Sequence, residues 1–246
     1  EPASVLGADG NPTGPEFVLG QVRVLSPRQA PTLAELEVAE DATLQRCGAL
    51  GLWAMKADRA QAAPGDVVAL RWVWEAVETP PVSSMATLSL RDANGAALRT
   101  WYLPPAATWW PTDQWKQGDR WVGRPIVRLP GSLESGTYLL RLGLPGCDEL
   151  AAISLRVIAP ERRWNVPDGF TAADVVFGDV IRLAGYTLET GETVKITLAW
   201  QALAEMETAY RVFVHIVGVE GQILAQNDGE PAGWTRPTPG WAVNEV

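Results

Sequence analysis

The sequence repeats itself at an offset of 126 residues, and this repeat limits the possible folds more than any other feature. Pairing Gly65 with Gly191 starts a match that continues without a gap to Arg120 and Val246. Eleven of the 56 aligned pairs are identical. The tightest cluster of identities is Pro111/Pro237, Thr112/Thr238 and Trp115/Trp241. A repeat of this length predicts two copies of one domain-sized fold.

A second, weaker internal similarity, at an offset of 133 residues, involves the N-terminal region. Residues 16–27 are similar to residues 149–160, so we expect them to form the last strand of an earlier copy. The predicted organisation is therefore residues 1–27 as that terminal strand with a linker, residues 28–160 as a complete repeat (the first repeat), and residues 161–246 as a second repeat that is incomplete at its C-terminal side.

The second repeat has no counterpart of residues 121–158, which are expected to form three closing strands of the first. Without such strands, apolar inner faces and strand edges meet water. Either the chain is a piece of a longer array whose remaining strands were not included, or residues 17–26 pair with the open repeat in the same chain or a neighbour. The first interpretation is favoured because one strand cannot replace three. The first residues lack an initiator Met and a signal peptide, which is typical of a processed or excised piece.

Apolar and polar side chains alternate in several short runs, the pattern of half-buried β-strands. The clearest runs are 67–76, 138–144 and 193–202. Asn94-Gly95 favours a hairpin between residues 87–91 and 97–102. The only candidate helix, 32–43, is interpreted as part of a linker or a short turn. The sequence predicts an all-β fold of tandem antiparallel β-sandwiches, immunoglobulin-like or jelly-roll-like, with Trp74 and Trp200 at equivalent positions.

The charge and hydropathy of the chain argue against nucleic-acid binding and against a membrane-spanning segment. The net charge of −9 argues against nucleic acid, whose phosphates require a basic surface. No run of 18 apolar residues occurs, so no membrane-spanning segment is predicted. Hydrophobic residues make up 47% of the chain, which is enough to form real cores.

The two cysteines, Cys47 and Cys147, flank the first repeat. With a single histidine in the chain, they cannot complete a zinc site. We predict that they form a disulfide if the protein is exported, and the alternative is a pair of buried thiols. A bridge closing a loop of about 100 residues would stabilise the fold by roughly 4–5 kcal/mol through loop-closure entropy.

A series of motifs in the second repeat resembles a known kind of protein region. The motifs are LAGY (183–186), ITLAWQA (196–202), YRVFVHIV (210–217), QNDGEP (226–231) and PTPGW (237–241). The series is similar to the extracytoplasmic β-sandwich regions that follow the membrane helices of bacterial glycosyltransferases of the dolichyl-phosphate-mannose mannosyltransferase-like type. The resemblance covers residues 176–246 well and residues 44–158 loosely.

The resemblance implies a surface-exposed module and says nothing of its own chemistry, because the transfer reaction would belong to the membrane portion. The first repeat departs from the pattern, with Ser89 in the place of His215 and Tyr102 in the place of Asp228. Any site built on His215 and Asp228 would therefore exist in the second repeat alone.

No residue pattern points to catalysis or to a cofactor. The sole histidine, His215, lies mid-strand with Phe213 and Val217, opposite a stripe of aliphatic residues, and is interpreted as structural. No dinucleotide, phosphate-loop or zinc-protease motif occurs. Asp228 and Glu230 are the candidates for a bound cation, although turn chemistry accounts for this acidic cluster as well. The expected metal and cofactor content is therefore none.

Tryptophan is abundant, with 12 copies. Trp115 and Trp241 return after Pro-Thr in both repeats, which indicates packing anchors. Four others lie near or in the loop before these anchors: Trp101, Trp109, Trp110 and Trp234. Their faces could stack on sugar rings, or they could cover the end of a small core. If Trp109 and Trp110 formed a sugar platform, both rings would be exposed.

We expect a non-enzymatic extracytoplasmic module with a structural or interaction role at the cell surface, forming the soluble part of a membrane glycosyltransferase-like protein. The alternative is a carbohydrate-binding module that uses the loop tryptophans. The expected partners are a glycan, another cell-surface protein, or neighbouring repeats and chains.

Overall fold

The computed structural model describes residues 5–6, 12–14 and 30–246, and the chain divides into two compact units, Glu1–Pro31 and Thr32–Val246. In the first unit, strands β1 (Val5–Leu6) and β2 (Pro12–Gly14) pair antiparallel. The predicted terminal strand at residues 16–27 lies outside the described residues. The regular secondary structure of the second unit is almost entirely β, which confirms the predicted all-β class.

One sheet of the first repeat has the order β10-β6-β4-β3, with all pairs antiparallel. A further strand, β9, pairs with β6 beyond the end of β10. The strands are β3 (Gln45–Cys47), β4 (Leu50–Ala57), β6 (Val67–Ala76), β9 (Arg120–Gly123) and β10 (Ile126–Arg128). Strand β6 therefore has neighbours on both sides.

The other sheet of the first repeat has the order β5-β12-β11-β7-β8. Its pairs are antiparallel except for β5 and β12, which run parallel. The strands are β5 (Gln61–Ala62), β7 (Ala86–Arg91), β8 (Ala97–Leu103), β11 (Gly136–Leu144) and β12 (Cys147–Val157). Strand β7 is also flanked on both sides, by β8 and β11.

The core of the first repeat lies between these sheets, as the alternation in residues 67–76 predicts. The inward residues of β6 are at most 2% exposed: Val68, Leu70, Trp72, Trp74 and Ala76. They belong to a cluster of 22 buried residues in the described part of the chain, to which β7, β11 and β12 also contribute. The predicted hairpin is present, but five residues, 92–96, connect its strands, and the Asp92 carboxylate holds that loop by accepting from the N–H groups of Asn94 and Ala96.

The disulfide between Cys47 and Cys147 is present, as predicted, with a Cα–Cα distance of 6.1 Å. The two cysteines belong to different sheets, because Cys47 ends β3 and Cys147 begins β12. The bridge therefore joins the two layers of the sandwich.

The second repeat contains a three-stranded antiparallel sheet of order β13-β14-β15 and a two-stranded antiparallel ribbon of β16 and β17. The strands are β13 (Thr171–Phe177), β14 (Ile181–Thr190), β15 (Val194–Ala202), β16 (Val212–Val217) and β17 (Ile223–Gly229). A short helical turn, α1 (Pro231–Trp234), follows the ribbon. The strand predicted at residues 193–202 is thereby confirmed.

The element boundaries repeat at the offset found in the sequence. Adding 126 to the bounds of β7 (86–91) and β8 (97–103) gives those of β16 (212–217) and β17 (223–229). The 3₁₀ turn Thr112–Gln114 likewise becomes Thr238–Gly240. The two repeats therefore share one local architecture over this stretch.

The hydrogen bonds around the Pro-Thr-x-x-Trp motif repeat as well. The motif threonine hydroxyl accepts from a backbone N–H in each repeat: Ser84 N to Thr112 Oγ1 (2.8 Å) and Tyr210 N to Thr238 Oγ1 (3.0 Å). The motif indole donates to the carbonyl five residues before it: Trp115 Nε1 to Trp110 (3.4 Å) and Trp241 Nε1 to Arg236 (3.0 Å). Trp115 and Trp241 are both buried, which confirms them as packing anchors.

The upstream part of the repeat aligns at an offset of 131 residues, as the strand pairing shows. Leu52 faces Trp74 across the β4–β6 ladder, and Leu183 faces Trp200 across the β14–β15 ladder. Each ladder has an irregularity directly after that leucine. Gly51 and Gly185 are therefore not equivalent.

Residues 32–43 contain a short turn at 33–37 and no helix, as interpreted from the sequence. Thr32 and Glu35 cap one another: the Glu35 carboxylate accepts from the Thr32 N–H at 2.8 Å, and the Thr32 hydroxyl accepts from the Glu35 N–H at 3.2 Å. Glu37, with φ of 51°, leaves the helical region and ends the turn. None of the helices in the described ranges is long and apolar enough to cross a membrane.

Arg162 holds the two repeats together. Its guanidinium donates to the carbonyls of Gly131 at 2.6 Å and Leu133 at 3.0 Å in the first repeat. It also forms an ion pair with Glu245 in the second, and both side chains are at most 5% exposed. A Cβ on Gly65 or Gly131 would lie within 2.6 Å of the backbone of Pro239, so these glycines permit a close backbone contact.

Candidate functional site

A cavity of about 580 Å³ lies between the sheet and the ribbon of the second repeat. Its apolar walls come from alternate residues of β15 (Ile196, Leu198 and Trp200) and of β16 (Val212 and Val214). Strand periodicity aims these side chains inward. The volume lies within the range of small-molecule sites, about 300–1,000 Å³.

The same positions are sealed in the first repeat. At the 126-residue offset, Ile196, Leu198 and Trp200 match Leu70, Trp72 and Trp74, which are at most 2% exposed. On the ribbon, Val212 and Val214 match Ala86 and Leu88, both fully buried. The cavity of the second repeat thus occupies the region that is hydrophobic core in the first.

Trp234 stands at the rim of this cavity. Its backbone (φ 71°) and those of Ala232 (φ 52°) and Gly233 (φ 61°) are left-handed, which is costly for residues with a side chain. Gly229 leaves room for the indole, since a Cβ there would lie 3.0 Å from Trp234 Nε1. The Arg211 guanidinium lies 5.1 Å from the ring centroid, within cation–π range. Trp234 is 55% exposed.

Polar residues also line the cavity: Asn227, Asp228, Glu230, Arg236 and Glu245. Glu245 is 2% exposed and forms ion pairs with both Arg162 and Arg236. Two guanidinium groups neutralise this buried carboxylate, so the Glu245 charge has a structural role in holding the cavity wall together.

Both cation candidates, Asp228 and Glu230, are among these lining residues, but Asp228 faces Phe213 across the β16–β17 ladder and therefore shares the face of the ribbon that carries His215. Asp228 Oδ1 is 3.6 Å from His215 Nε2, and both side chains are about one-third exposed. Within residues 5–6, 12–14 and 30–246, no group of three or more His, Cys, Asp or Glu side chains converges in a way that could hold a metal ion.

His215 lies on the outer face of β16. The exposure of β16 alternates, with Val212, Val214 and Ile216 half-buried and Phe213, His215 and Val217 exposed. This is the alternation that the sequence predicts. The imidazole therefore points away from the cavity side of the strand.

The predicted loop tryptophans occupy different environments. Trp101 and Trp110 are half-buried against the core of the first repeat, and the Trp110 ring lies 5.7 Å from that of Trp121. Trp109 is 78% exposed. None of these three lines the cavity beside Trp234. Of the predicted pair, only Trp109 is exposed, whereas Trp110 packs against the core.

A second cavity, of about 600 Å³, lies next to the first and shares lining residues with it. Leu198, Trp200 and Val212 line both cavities, and Phe177 and Tyr210 contribute to the second. The Phe177 ring meets Trp200 edge-on at 5.6 Å. Trp200 therefore lines both cavities and packs against only part of its surroundings.

Sequence reasoning missed the Arg162–Glu245–Arg236 cluster. Its only signal was the Asp119/Glu245 pair, whose negative charge is kept between the repeats. Both carboxylates cap the same turn, accepting from the N–H of Lys116 at 2.8 Å and of Ala242 at 2.9 Å. The longer glutamate also reaches the two arginines, whose roles have no local sequence pattern.

Comparisons with known proteins return fold-level likenesses only. No protein-family model matches the chain, and no curated protein matches it. Among solved structures, the chain is similar to the C-terminal domain of Wzt, with 13% identity over 56% of this chain and 91% of that one and a TM-score of 0.38.

Two further likenesses cover small parts of larger enzymes. Pseudomonas fluorescens alkylpurine DNA glycosylase AlkC, bound to DNA containing an abasic site analogue, shows 12% identity over 46% of this chain, with a TM-score of 0.33, and the match spans 31% of that protein. The β-glucosidase EmGH1 from Erythrobacter marinus shows 15% identity over 45% of this chain and 15% of that one, with a TM-score of 0.28. At these scores, none of the likenesses carries an argument about function.

Proposed function

We propose that this chain is a non-catalytic module of tandem β-sandwich repeats that acts by interaction at the cell surface. The observation that carries the proposal is the apolar surface of the second repeat. Of the 23 large hydrophobic residues exposed in the described part of the chain, 16 lie between Trp164 and Val243. Clustered apolar exposure of this kind marks interaction surfaces in folded proteins.

The disulfide supports an extracytoplasmic location. Structural disulfides form and persist in oxidising compartments and are rare in the cytosol. The Cys47–Cys147 bridge joins two layers of a sandwich and closes a loop with a sequence separation of 100 residues. Its loss would therefore release much conformational freedom in the unfolded chain.

Production in two bacterial compartments tests the location. We expect chain exported to the periplasm to contain no free thiols and to melt at a higher temperature than chain made in the cytoplasm. The Cys47→Ser/Cys147→Ser variant is the control, and its melting temperature should not depend on the compartment. Equal melting of the two wild-type preparations, with free thiols in both, would remove the argument for export.

The resemblance of the second repeat to regions that follow membrane helices leads us to propose the soluble part of a membrane glycosyltransferase-like protein. Determining the complete reading frame that encodes this chain tests the proposal. Membrane helices upstream of the repeats would support it, whereas a reading frame without such helices would contradict it.

Carbohydrate binding is the second candidate, and the cavity beside Trp234 favours it. Its lining includes an aromatic side chain, carboxylates and a guanidinium group, which are the kinds of group that contact sugar rings and hydroxyls. Tryptophan-fluorescence titration with a panel of oligosaccharides tests this function.

Two matched variants show which repeat is responsible for a fluorescence response. Saturable quenching that Trp234→Ala abolishes and Trp109→Ala leaves intact would establish a glycan site in the second repeat. Quenching abolished by Trp109→Ala alone would place the site on the first repeat. No response to any oligosaccharide would leave protein interaction as the function.

A further inference from the structure

Two loops at one end of the first repeat contain no charged residue, although charged residues make up 20% of the chain. They are residues 79–85, which lead into β7, and residues 103–111, which begin at the end of β8. The ladder between β7 and β8 brings the loops together, and the Ser84 N–H donates to Thr112 Oγ1 at 2.8 Å. We call residues 79–85 and 103–111 the uncharged tip.

The uncharged tip presents large apolar side chains to solvent. Trp109 is 78% exposed, Val82 is 65% exposed and Met85 is 43% exposed. Trp109 stands in a tight turn, because Ala107 and Trp110 form a β-bridge and the Trp110 N–H donates to the Ala107 carbonyl at 3.1 Å. None of the tip residues lines either of the two cavities of the second repeat. The tip is therefore a separate apolar surface.

The uncharged tip lies at the end of the first repeat that faces away from the second repeat. The close backbone contact between the repeats is at Gly65, beside Pro239. Strand β6 begins at Val67, directly after that contact, and ends at Ala76, shortly before the first loop of the tip. A strand of ten residues spans about 30 Å, so the tip and the inter-repeat contact are on opposite ends of the sandwich.

The second repeat shows that the fold does not require an uncharged tip. At the 126-residue offset, the two loops become residues 205–211 and 229–237, and Trp109 becomes Thr235. These equivalent loops contain five charged residues: Glu205, Glu207, Arg211, Glu230 and Arg236. The same loop architecture therefore accepts charges readily. Their absence, together with the exposed tryptophan, is a property of the first repeat alone.

The composition of the uncharged tip suits a lipid surface better than a sugar. A sugar site needs polar groups placed around its hydroxyls, and the polar side chains of the tip, apart from the indole N–H groups, are serines and threonines only. Five of its residues are prolines, which have no backbone N–H to remove from water. Tryptophan is enriched at the boundary between lipid headgroups and acyl chains, because its ring is apolar and its N–H is polar.

The charges around the tip specify a neutral lipid surface. Glu78 and Asp113, both exposed, border the two loops in the sequence, and the chain has a net charge of −9. Anionic headgroups would repel these carboxylates. We propose that the uncharged tip inserts Trp109, Val82 and Met85 into the headgroup region of a zwitterionic phospholipid bilayer. This inference goes beyond the proposed interaction function, because it assigns a lipid contact to the first repeat.

Flotation of the full chain with phosphatidylcholine vesicles tests the proposal. We expect the chain to float with the vesicles, and Trp109→Ala to lower its partition coefficient about tenfold, because a large apolar side chain no longer leaves water. Val82→Asp should lower the partition coefficient as well, since it places a charge at the lipid boundary. The matched control is Trp234→Ala, which removes a 55% exposed tryptophan from the equivalent loop of the second repeat and should leave flotation unchanged.

Fluorescence quenching by brominated phosphatidylcholine separates insertion from any loss of folding. Trp109→Phe keeps an aromatic ring at the tip, so this variant should still float with the vesicles. The quenching of its tryptophan emission by the brominated lipid should nevertheless be much weaker than in the wild type, because the inserted fluorophore is gone. Replacing part of the phosphatidylcholine with phosphatidylglycerol should weaken flotation of the wild-type chain.

Several results would overturn the proposal. They are no flotation with phosphatidylcholine vesicles, flotation that Trp109→Ala leaves unchanged, and stronger flotation with the anionic vesicles than with the neutral ones. If Trp109→Ala instead abolishes self-association or an oligosaccharide response without changing flotation, the partner of the tip is a second copy or a glycan, and the lipid contact is wrong. The export experiment and the oligosaccharide titration use no vesicles, so failure of the lipid contact and failure of the proposed function are distinguishable.

Discussion

The two repeats carry the same local architecture and differ in how well their inner faces are covered. Both contain the Pro-Thr-x-x-Trp motif with the same hydrogen bonds, at an offset of 126 residues. In the described part of the chain, however, the core of the first repeat contains 22 buried residues and that of the second contains four. The comparison shows that a turn and its hydrogen bonds are encoded locally, whereas burial depends on strands from elsewhere in the fold.

The residue directly before the Pro-Thr-x-x-Trp motif has the same backbone role in both repeats but a different side-chain role. The carbonyls of Trp110 and Arg236 each accept a hydrogen bond from the motif indole. Their side chains differ: Trp110 packs against Trp121 in the first core, while Arg236 pairs with Glu245 in the second repeat. Equivalent backbone positions therefore serve the fold, while the side chains suit the environment of each repeat.

The largest expected difference between the repeats concerns the equivalent pair Trp74 and Trp200. Trp74 is fully buried, so Trp74→Ala should lower the free energy of unfolding of the first repeat by about 3–5 kcal/mol. Trp200 is half-buried beside two cavities, and Trp200→Ala should cost about half as much or less. Urea unfolding followed by circular dichroism measures both, and equal losses would mean that the second repeat is as well packed as the first.

Removing the disulfide should affect the first repeat alone. The Cys47→Ser/Cys147→Ser variant is expected to lose about 2–5 kcal/mol of stability in that repeat, because the unfolded chain regains the freedom of a long loop. Hydrogen exchange resolved by segment assigns the loss. The amides of β14 and β15 should exchange as in the wild type, and their destabilisation to the same degree would show that the repeats unfold as one unit.

The motif threonines should behave alike in both repeats, in contrast to the tryptophans. Thr112→Val and Thr238→Val each leave a backbone N–H without its hydroxyl acceptor, at a cost of about 1–3 kcal/mol. Thermal unfolding of the two single variants measures the costs. A large difference between them would contradict the claim that this motif is an independent local unit.

The smallest expected effect concerns acid stability. Hydrogen bonds from the Arg59 guanidinium hold the pKa of the Asp58 carboxyl below its ordinary value. A lowered folded-state pKa contributes stability that is present above the unfolded value, near about 4, and is lost as the pH falls through the folded one. The melting temperature of the Asp58→Asn variant should therefore fall slightly less steeply below about pH 4 than that of the wild type, as measured by acid titration of the melting temperature. An unchanged acid limb would show that the exposed pair contributes nothing.

Much of the fold could be predicted from the sequence because its signals are local. Period-two alternation identified β6 and β15, and the position of His215 on the outer face of β16 followed from the same rule. The disulfide was predictable because two cysteines flank one repeat and no zinc site was possible. The domain boundaries proposed from the repeat remain a prediction, as do the ligand roles of Trp101, Trp109, Trp110 and Trp234.

The rest depended on contacts between distant segments. Trp109 and Trp110 are neighbours in an irregular loop, where no periodicity tells which ring faces the core, and only the structure separates the exposed ring from the packed one. Arg162 acts through carbonyls of Gly131 and Leu133 and the carboxylate of Glu245, far from it in sequence. The open cavity of the second repeat depends on which strands cover it, which alternation within one strand does not reveal.

Hydrogen exchange of the unmodified chain tests the central comparison most directly. Strand β7 lies inside a five-stranded sheet, whereas its equivalent β16 has a single partner among the described strands. The amides of Ala86–Arg91 should exchange at least about a hundredfold more slowly than those of Val212–Val217, because edge amides open to water without unfolding of the core. Equal protection of the two strands in dilute monomeric protein would contradict an open inner face in the second repeat.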